Sequence, residues 1–198
     1  VRRVDVLLLL TVVVFLYLLF FKLPDTPFYL EDDHLIFVDN AARMLGGEKM
    51  YADFFQFSFP GGQVLYTVLF AIFGTKYWVL NFTIILIGSI TFWIGLRISH
   101  RVIDGPLAYL PGILFAFFGL RWLGIDGSHR SLSPVFIWIA LVLLLRSRTP
   151  IYLAAAAAFC GVSAFVTQQR GIAAVAAIVI FVAVDNFASG ERLRKTAR

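Results

Sequence analysis

The chain reads as an all-α, polytopic membrane protein of about six transmembrane helices, with amphipathic helices in its first outer loop. Three observations predict this. The 198 residues are 60% hydrophobic and 15% charged, with a mean hydropathy of +0.86, against roughly 45–50% and about 25% for a soluble domain. The apolar residues come in blocks, and 6–21, 77–96, 107–120 and 171–184 carry no charge at all. The blocks are continuous rather than alternating, which fits helices and not the dyad pattern of a barrel, because every backbone polar group must be satisfied inside the segment.

In chain order, the expected spans are 6–23, 78–98, 107–123, 151–167 and 171–187, each close to the roughly 20 residues that cross a hydrocarbon core. A sixth, 134–145, is short and reaches span length with snorkelling ends at 132–146. The first block lacks a small-residue cleavage site and is expected to be a signal anchor rather than a removed signal peptide. A further apolar stretch, 63–73, is too short to cross. Charge arbitrates here. With six spans and a cytoplasmic N-terminus, ten of the 17 basic residues fall in inner segments: Arg2, Arg3, Arg97, Arg101, Arg146, Arg148, Arg192, Arg194, Lys195 and Arg198. Counting 63–73 as a span leaves six inside against eleven outside. The positive-inside bias favours six spans, with both termini cytoplasmic in an inner or plasma membrane and 63–73 lying at the outer surface.

The whole of 1–198 is expected to form one membrane domain, and the loop 24–77 holds most of its polar information. Pro24 and Pro27 end the first span. Glu-Asp-Asp-His at 31–34 then opens a helix with Leu35, Val38, Ala42 and Leu45 on one face, Asp32 or Asp33 as its cap, and Gly46-Gly47 as its stop. The run Ala154 to Ala158 with Gly161, Ser163 and Ala164 lets helices approach closely. Cys160, the single cysteine, is expected to pack. There is no GxxxxGK[ST], GxGxxG or zinc spacing, which leaves a nucleotide-driven pump or a soluble sugar-nucleotide enzyme without support. The net charge of +5 lies at loop ends and does not indicate nucleic acid.

The loop sequence DNAARMLGGEKMYADFFQFSFPGG at 39–62, behind an acidic pair and ahead of an apolar helix closing on Phe73-Gly74, resembles the first outer loop of the GT-C membrane glycosyltransferases. That superfamily includes the protein O-mannosyltransferases and the aminoarabinose transferases, and the resemblance is to its bacterial branch over about 7–170. It implies the N-terminal part of a longer transferase that takes a sugar from a polyprenyl-phosphate carrier. The acceptor would be a glycan, lipid or protein outside the cytoplasm. No cofactor is assigned, and a divalent cation stays open. The resemblance further implies a catalytic carboxylate in the loop, which falls on Asp33, with Asp32 one residue off.

The residues admit both a structural and a chemical role. An aspartate at 32 or 33 caps a helix, and the same carboxylate, kept ionised by the helix dipole, is a candidate general base. Asp126, in the second outer loop GIDGSHRSLSP, sits where family members often place a second acid; Asp-Gly is equally a turn. His34, Lys76, Arg121, His129, Arg130 and Arg170 are the candidates for substrate or phosphate contact, since outer cations run against the charge bias and arginine matches phosphate geometry. Snorkelling to headgroups is the alternative. Gln168-Gln169-Arg170 is expected to be a tight polar turn between the last two spans, resembling the family's polar turn. Tyr51 and Asp53 are assigned to loop shape. The competing functions are a lipid or small-molecule transporter or flippase, which usually carries ionisable groups near the midplane, and a non-catalytic membrane scaffold.

Overall fold

The computed structural model describes residues 3–22, 25–28, 33–119 and 127–196, with side chains for all of these except 33, 34, 117 and 188–196. Eight α-helices dominate: α1 (Arg3–Phe20), α2 (Asp33–Leu45), α3 (Gly61–Phe73), α4 (Tyr77–Val102), α5 (Leu110–Leu114), α6 (His129–Arg146), α7 (Pro150–Val166) and α8 (Gln168–Thr196). A two-stranded antiparallel ribbon, β1 (Phe21–Lys22) with β2 (Thr26–Pro27), turns the chain after α1. Among the described residues the fold is all-α apart from this ribbon and an isolated bridge between Met50 and Phe54, and its apolar character is that of a membrane protein.

Among the described residues, four helices are long and apolar enough to cross a membrane: α1, α4, α6 and the 168–187 part of α8. The described helix bounds differ from the expected element list in three places. The stretch 134–145, read as the shortest span, belongs to an 18-residue helix that starts at His129, because Ser128 caps it and its Oγ accepts from the Arg130 N–H. The stretch 107–123, read as one span, stays helical through its described part but changes helix type twice. A 3-10 turn at Pro106–Tyr109 leads into the five residues of α5 and then a π-helical turn at Phe115–Gly119. Pro106 and Pro111 lack the N–H that a continuous helix would use. The stretch 151–167 forms α7, a 17-residue apolar helix at the short end of what crosses a hydrocarbon core.

α3 has 13 residues, about 20 Å at 1.5 Å per residue, shorter than a hydrocarbon core. It buries Gln63, Tyr66 and Phe70 on one face. α2 packs along it, but not on the face that the sequence suggested. Phe37, Asn40 and Ala41 are buried whereas Leu35 and Leu45 are exposed. Phe37 must fit over Gly62, where a Cβ would come within 2.8 Å of its ring, and this rotates the helix. Gly46 and Gly47 close α2 as expected, with Gly47 at φ +98° and its N–H on the Met44 carbonyl.

Polar ties hold the bundle where apolar contact alone would let helices slide. Asn81 on α4 donates to the carbonyls of Phe20 and Phe28 at 2.7 and 3.0 Å, fixing the end of α1. Ser133 on α6 and Ser163 on α7 lie 2.7 Å apart at their hydroxyls, and the Ser163 hydroxyl also donates to the Ser133 carbonyl at 3.1 Å. Small residues permit this approach. Ala156, Cys160 and Ser163 are buried, and a Cβ on Gly171 would lie 2.3 Å from the Ala164 backbone. Cys160 is free and packs in the core formed by α6, α7 and α8.

α1 and α4 run antiparallel and meet at both ends. At the end opposite the loop, Asp5 is 1% exposed. Its Oδ1 accepts from the Tyr109 hydroxyl at 3.2 Å and lies 3.2 Å from His100 Nε2. The two rings meet edge to face at 4.8 Å. Three segments are thus joined through one carboxylate.

The seam between loop and bundle is as tight. A Cβ on Gly61 would fall 2.7 Å from the Phe165 carbonyl oxygen and 2.9 Å from Val166 Cα. Backbone cannot yield as a side chain does, so Gly61→Ala should destabilise by about 1–3 kcal/mol, the usual cost of overpacking. Thermal unfolding in lipid nanodiscs measures it, and an unchanged melting temperature would show that α3 is not docked on α7.

Candidate functional site

One end of the bundle gathers the end of α1, the starts of α4, α6 and α8, the end of α7, and the loop helices α2 and α3. The Tyr66 hydroxyl donates to the Gly127 carbonyl at 2.8 Å, so α3 reaches the entry to α6. A Cβ on Gly127 would meet that hydroxyl at 2.3 Å, which requires glycine there. His129, the first residue of α6, stacks its ring on Phe37 of α2, with centroids 5.3 Å apart and planes inclined by 29°. Its carbonyl accepts from the Thr167 hydroxyl at 3.4 Å.

These contacts enclose a cavity of about 310 Å³. Ile36 and Phe37 of α2 form one wall. Gln56, Phe57 and Ser58 of the loop form a second, and His129 with Thr167, Gln168 and Gln169 closes it. The loop wall is braced from behind. Tyr51, at φ +70°, donates its hydroxyl to the Ser58 carbonyl at 2.6 Å, and buried Gln63 donates Nε2 to Ser58 Oγ at 3.4 Å. Asp53 Oδ2 accepts the Lys49 N–H at 2.7 Å. Tyr51 and Asp53 therefore shape the loop, and burial raises the Tyr51 phenol above its usual value. Arg43 pairs with Glu48 at 2.6 Å and lies over the Phe54 ring at 4.3 Å; its hydrogen bond to the Glu48 carboxylate raises the guanidinium further into the always-charged range.

Arg130 and Arg170 are brought together. Pro134, inside α6, has no N–H to give the carbonyl four residues back, and that carbonyl, on Arg130, accepts from the Arg170 guanidinium instead. Gln168, Gln169 and Arg170 are not a turn, as the sequence suggested. They form the first turn of α8, and Thr167 alone separates it from α7. Donation of the Thr167 N–H to Ser163 and acceptance by its carbonyl from Gly171 make one residue enough. Lys76, exposed, flanks the start of α4 and is absent from the cavity wall, as are Arg130 and Arg170.

No family model, curated protein or solved structure matches the chain.

Among the acids, Asp33 begins α2, one turn ahead of Phe37, so the helix that carries it is the one that stacks on His129. The side chains of Asp33 and His34 lie outside the described set, and Asp32, Arg121 and Asp126 lie outside the described residues. The residues that sequence reasoning passed over are Gln56, Phe57, Ser58 and the chemical part of Gln168 and Gln169. Their signal was faint but present: amide side chains are few in this chain, and three of them meet here.

Proposed function

We propose that the chain transfers a sugar from a polyprenyl-phosphate carrier to an acceptor hydroxyl at the extracytoplasmic face, as a GT-C type glycosyltransferase. The observation that carries the reading is the meeting of the Asp33 helix with the starts of α6 and α8 around a polar cavity at one end of an apolar bundle. A lipid-linked donor has to be met at an interface, with its phosphate in the headgroup layer and its tail along apolar helices. The paired Arg130 and Arg170 at that end suit the phosphate, since arginine is matched to phosphate oxygens. In the proposed step the acceptor oxygen attacks the anomeric carbon and its proton passes to the Asp33 carboxylate. The bond from the anomeric carbon to the phosphate oxygen breaks, and the phosphate leaves with the electron pair, its charge stabilised by the cations. Asp126 and Arg121, from the second outer loop, and Asp32 and His34, beside Asp33, complete the proposed set, with Lys76 nearer the membrane entry.

The reading requires this end of the bundle to lie outside the cytoplasm, six segments to cross, and both termini to be cytoplasmic. Single cysteines at Lys49 and Asp104, in a chain carrying Cys160→Ala, test the sidedness with a membrane-impermeant maleimide on intact cells. Position 49 should label and position 104 should not. Labelling at 104 alone would invert the molecule and move the cavity away from any external acceptor. The direct test of function is transfer from decaprenyl-phosphate pentoses and hexoses by the purified chain, with release of decaprenyl phosphate as the readout.

A further inference from the structure

We infer that the cavity between α2, the 56–58 segment and the starts of α6 and α8 is a binding subsite for a single neutral pyranose ring. The inference rests on the transferase reading for its place in a reaction, while its chemistry comes from the wall itself.

The wall supplies three primary amides, from Gln56, Gln168 and Gln169, together with the hydroxyls of Ser58 and Thr167 and the imidazole of His129. An amide presents a donor and an acceptor side by side, which matches neighbouring sugar hydroxyls that both donate and accept. Among the described residues the wall holds no Lys, Arg, Asp or Glu. A phosphate or uronate group placed here would lose its hydration without an opposite charge in the wall to replace it, at a cost that a neutral hydroxyl avoids. The cations Arg130 and Arg170 stand outside the wall, which separates a charged phosphate position from an uncharged ring position.

The remaining wall is aromatic. Phe57 is 88% exposed and meets Phe55 edge to face at 4.9 Å, so its own face is open to a ligand. An aromatic face is electronegative, and the C–H groups on one side of a pyranose are its natural complement. The polar wall is also preset. Gln56 Oε1 accepts the Phe57 N–H at 2.7 Å, which leaves its NH₂ to donate, and Ser58 is held by Tyr51 and Gln63. A volume of about 310 Å³ is at the small end of ligand pockets and suits one ring rather than an isoprenoid chain. The cavity of similar volume between α4 and α5, about 320 Å³, has no such match. Its two hydroxyls, on Thr91 and Ser99, already bond helix carbonyls, and the rest of its wall is apolar.

The test is saturation-transfer NMR on the full chain in lipid nanodiscs, with methyl hexopyranosides as probes against methyl hexuronosides. The neutral glycosides should bind with millimolar Kd and the charged ones at least about fivefold more weakly. Gln169→Leu and Phe57→Ala, both at exposed positions, should each weaken the neutral probes by about five- to tenfold, as expected for one hydrogen bond or one aromatic contact. Lys49→Ala, outside the wall, should change nothing. Equal binding of charged and neutral probes, or binding indifferent to both wall substitutions, overturns the subsite. Decaprenyl phosphate binding, measured separately, keeps the two readings apart. If the lipid phosphate binds and no glycoside does, the subsite is wrong and the transferase reading stands. If glycosides bind as expected and no lipid-linked sugar is ever turned over, the subsite is right and the transferase reading falls.

Discussion

Asp33→Asn is expected to lower glycosyl transfer by at least about 100-fold, the lower end of what a positioned general base contributes. The substitution keeps the size of the side chain and removes only its basicity and charge. α2 should survive it, because the helix is held by Phe37, Asn40 and Ala41 against α3. Loss of a negative charge from its first turn costs only about 0.3–1 kcal/mol. The matching measurement is decaprenyl phosphate binding, which should be nearly unchanged, since the phosphate is assigned to Arg130 and Arg170. Arg130→Ala should do the reverse and weaken the donor. Full activity in Asp33→Asn would move the base to Asp32, and loss of both binding and transfer would mean that Asp33 holds the loop together instead of reacting.

Asp5→Ala should be the most destabilising single change at the opposite end of the bundle, at about 3 kcal/mol. That value lies where the cost of breaking a buried pair meets the cost of orphaning a buried polar group. Removing the carboxylate takes from the His100 ring and the Tyr109 hydroxyl the buried acceptor they share on α1. The double variant Asp5→Ala/His100→Leu should be less unstable than the sum of its parts, because residues in one network do not act additively. Thermal unfolding in nanodiscs reads both. Simple additivity would show that the 3.2 Å approach carries no coupling.

The expectations that held and those that failed differ in physical kind. The Gly46-Gly47 stop, the shortness of α3, the packing of Cys160 and the loop-shaping roles of Tyr51 and Asp53 are local consequences of residue type. Gly47 takes a left-handed conformation, and Asp53 folds back on a backbone N–H four residues away. The failures are non-local. The buried face of α2 could not be read from spacing, since Leu35 and Leu45 have the same period as the residues that are buried. Which stripe turns inward was set by the fit of Phe37 over Gly62. The changes of helix type across 106–119 needed the placement of two prolines to be weighed against an unbroken apolar run. Asp5 stands at the edge of a 16-residue apolar block, and only the packing of His100 and Tyr109 against it shows that the carboxylate is buried.

The sequence by itself determined the solvent this chain is built for and the helical form of its backbone. Both follow from composition and from the length of uncharged runs, which need no partner to act. It also determined where α2 stops, because glycines at a helix end work within a few residues. Only the tertiary structure decided which polar groups share a space. Gln56, His129 and Gln169 lie far apart in the chain, and no local rule links an amide in a loop to the first turn of two distant helices. Their meeting depends on Tyr66 reaching Gly127, on Gly61 yielding to the α7 backbone, and on Pro134 freeing a carbonyl for Arg170. Each of these is a contact across helices, settled by shape and hydrogen bonding once the bundle has formed.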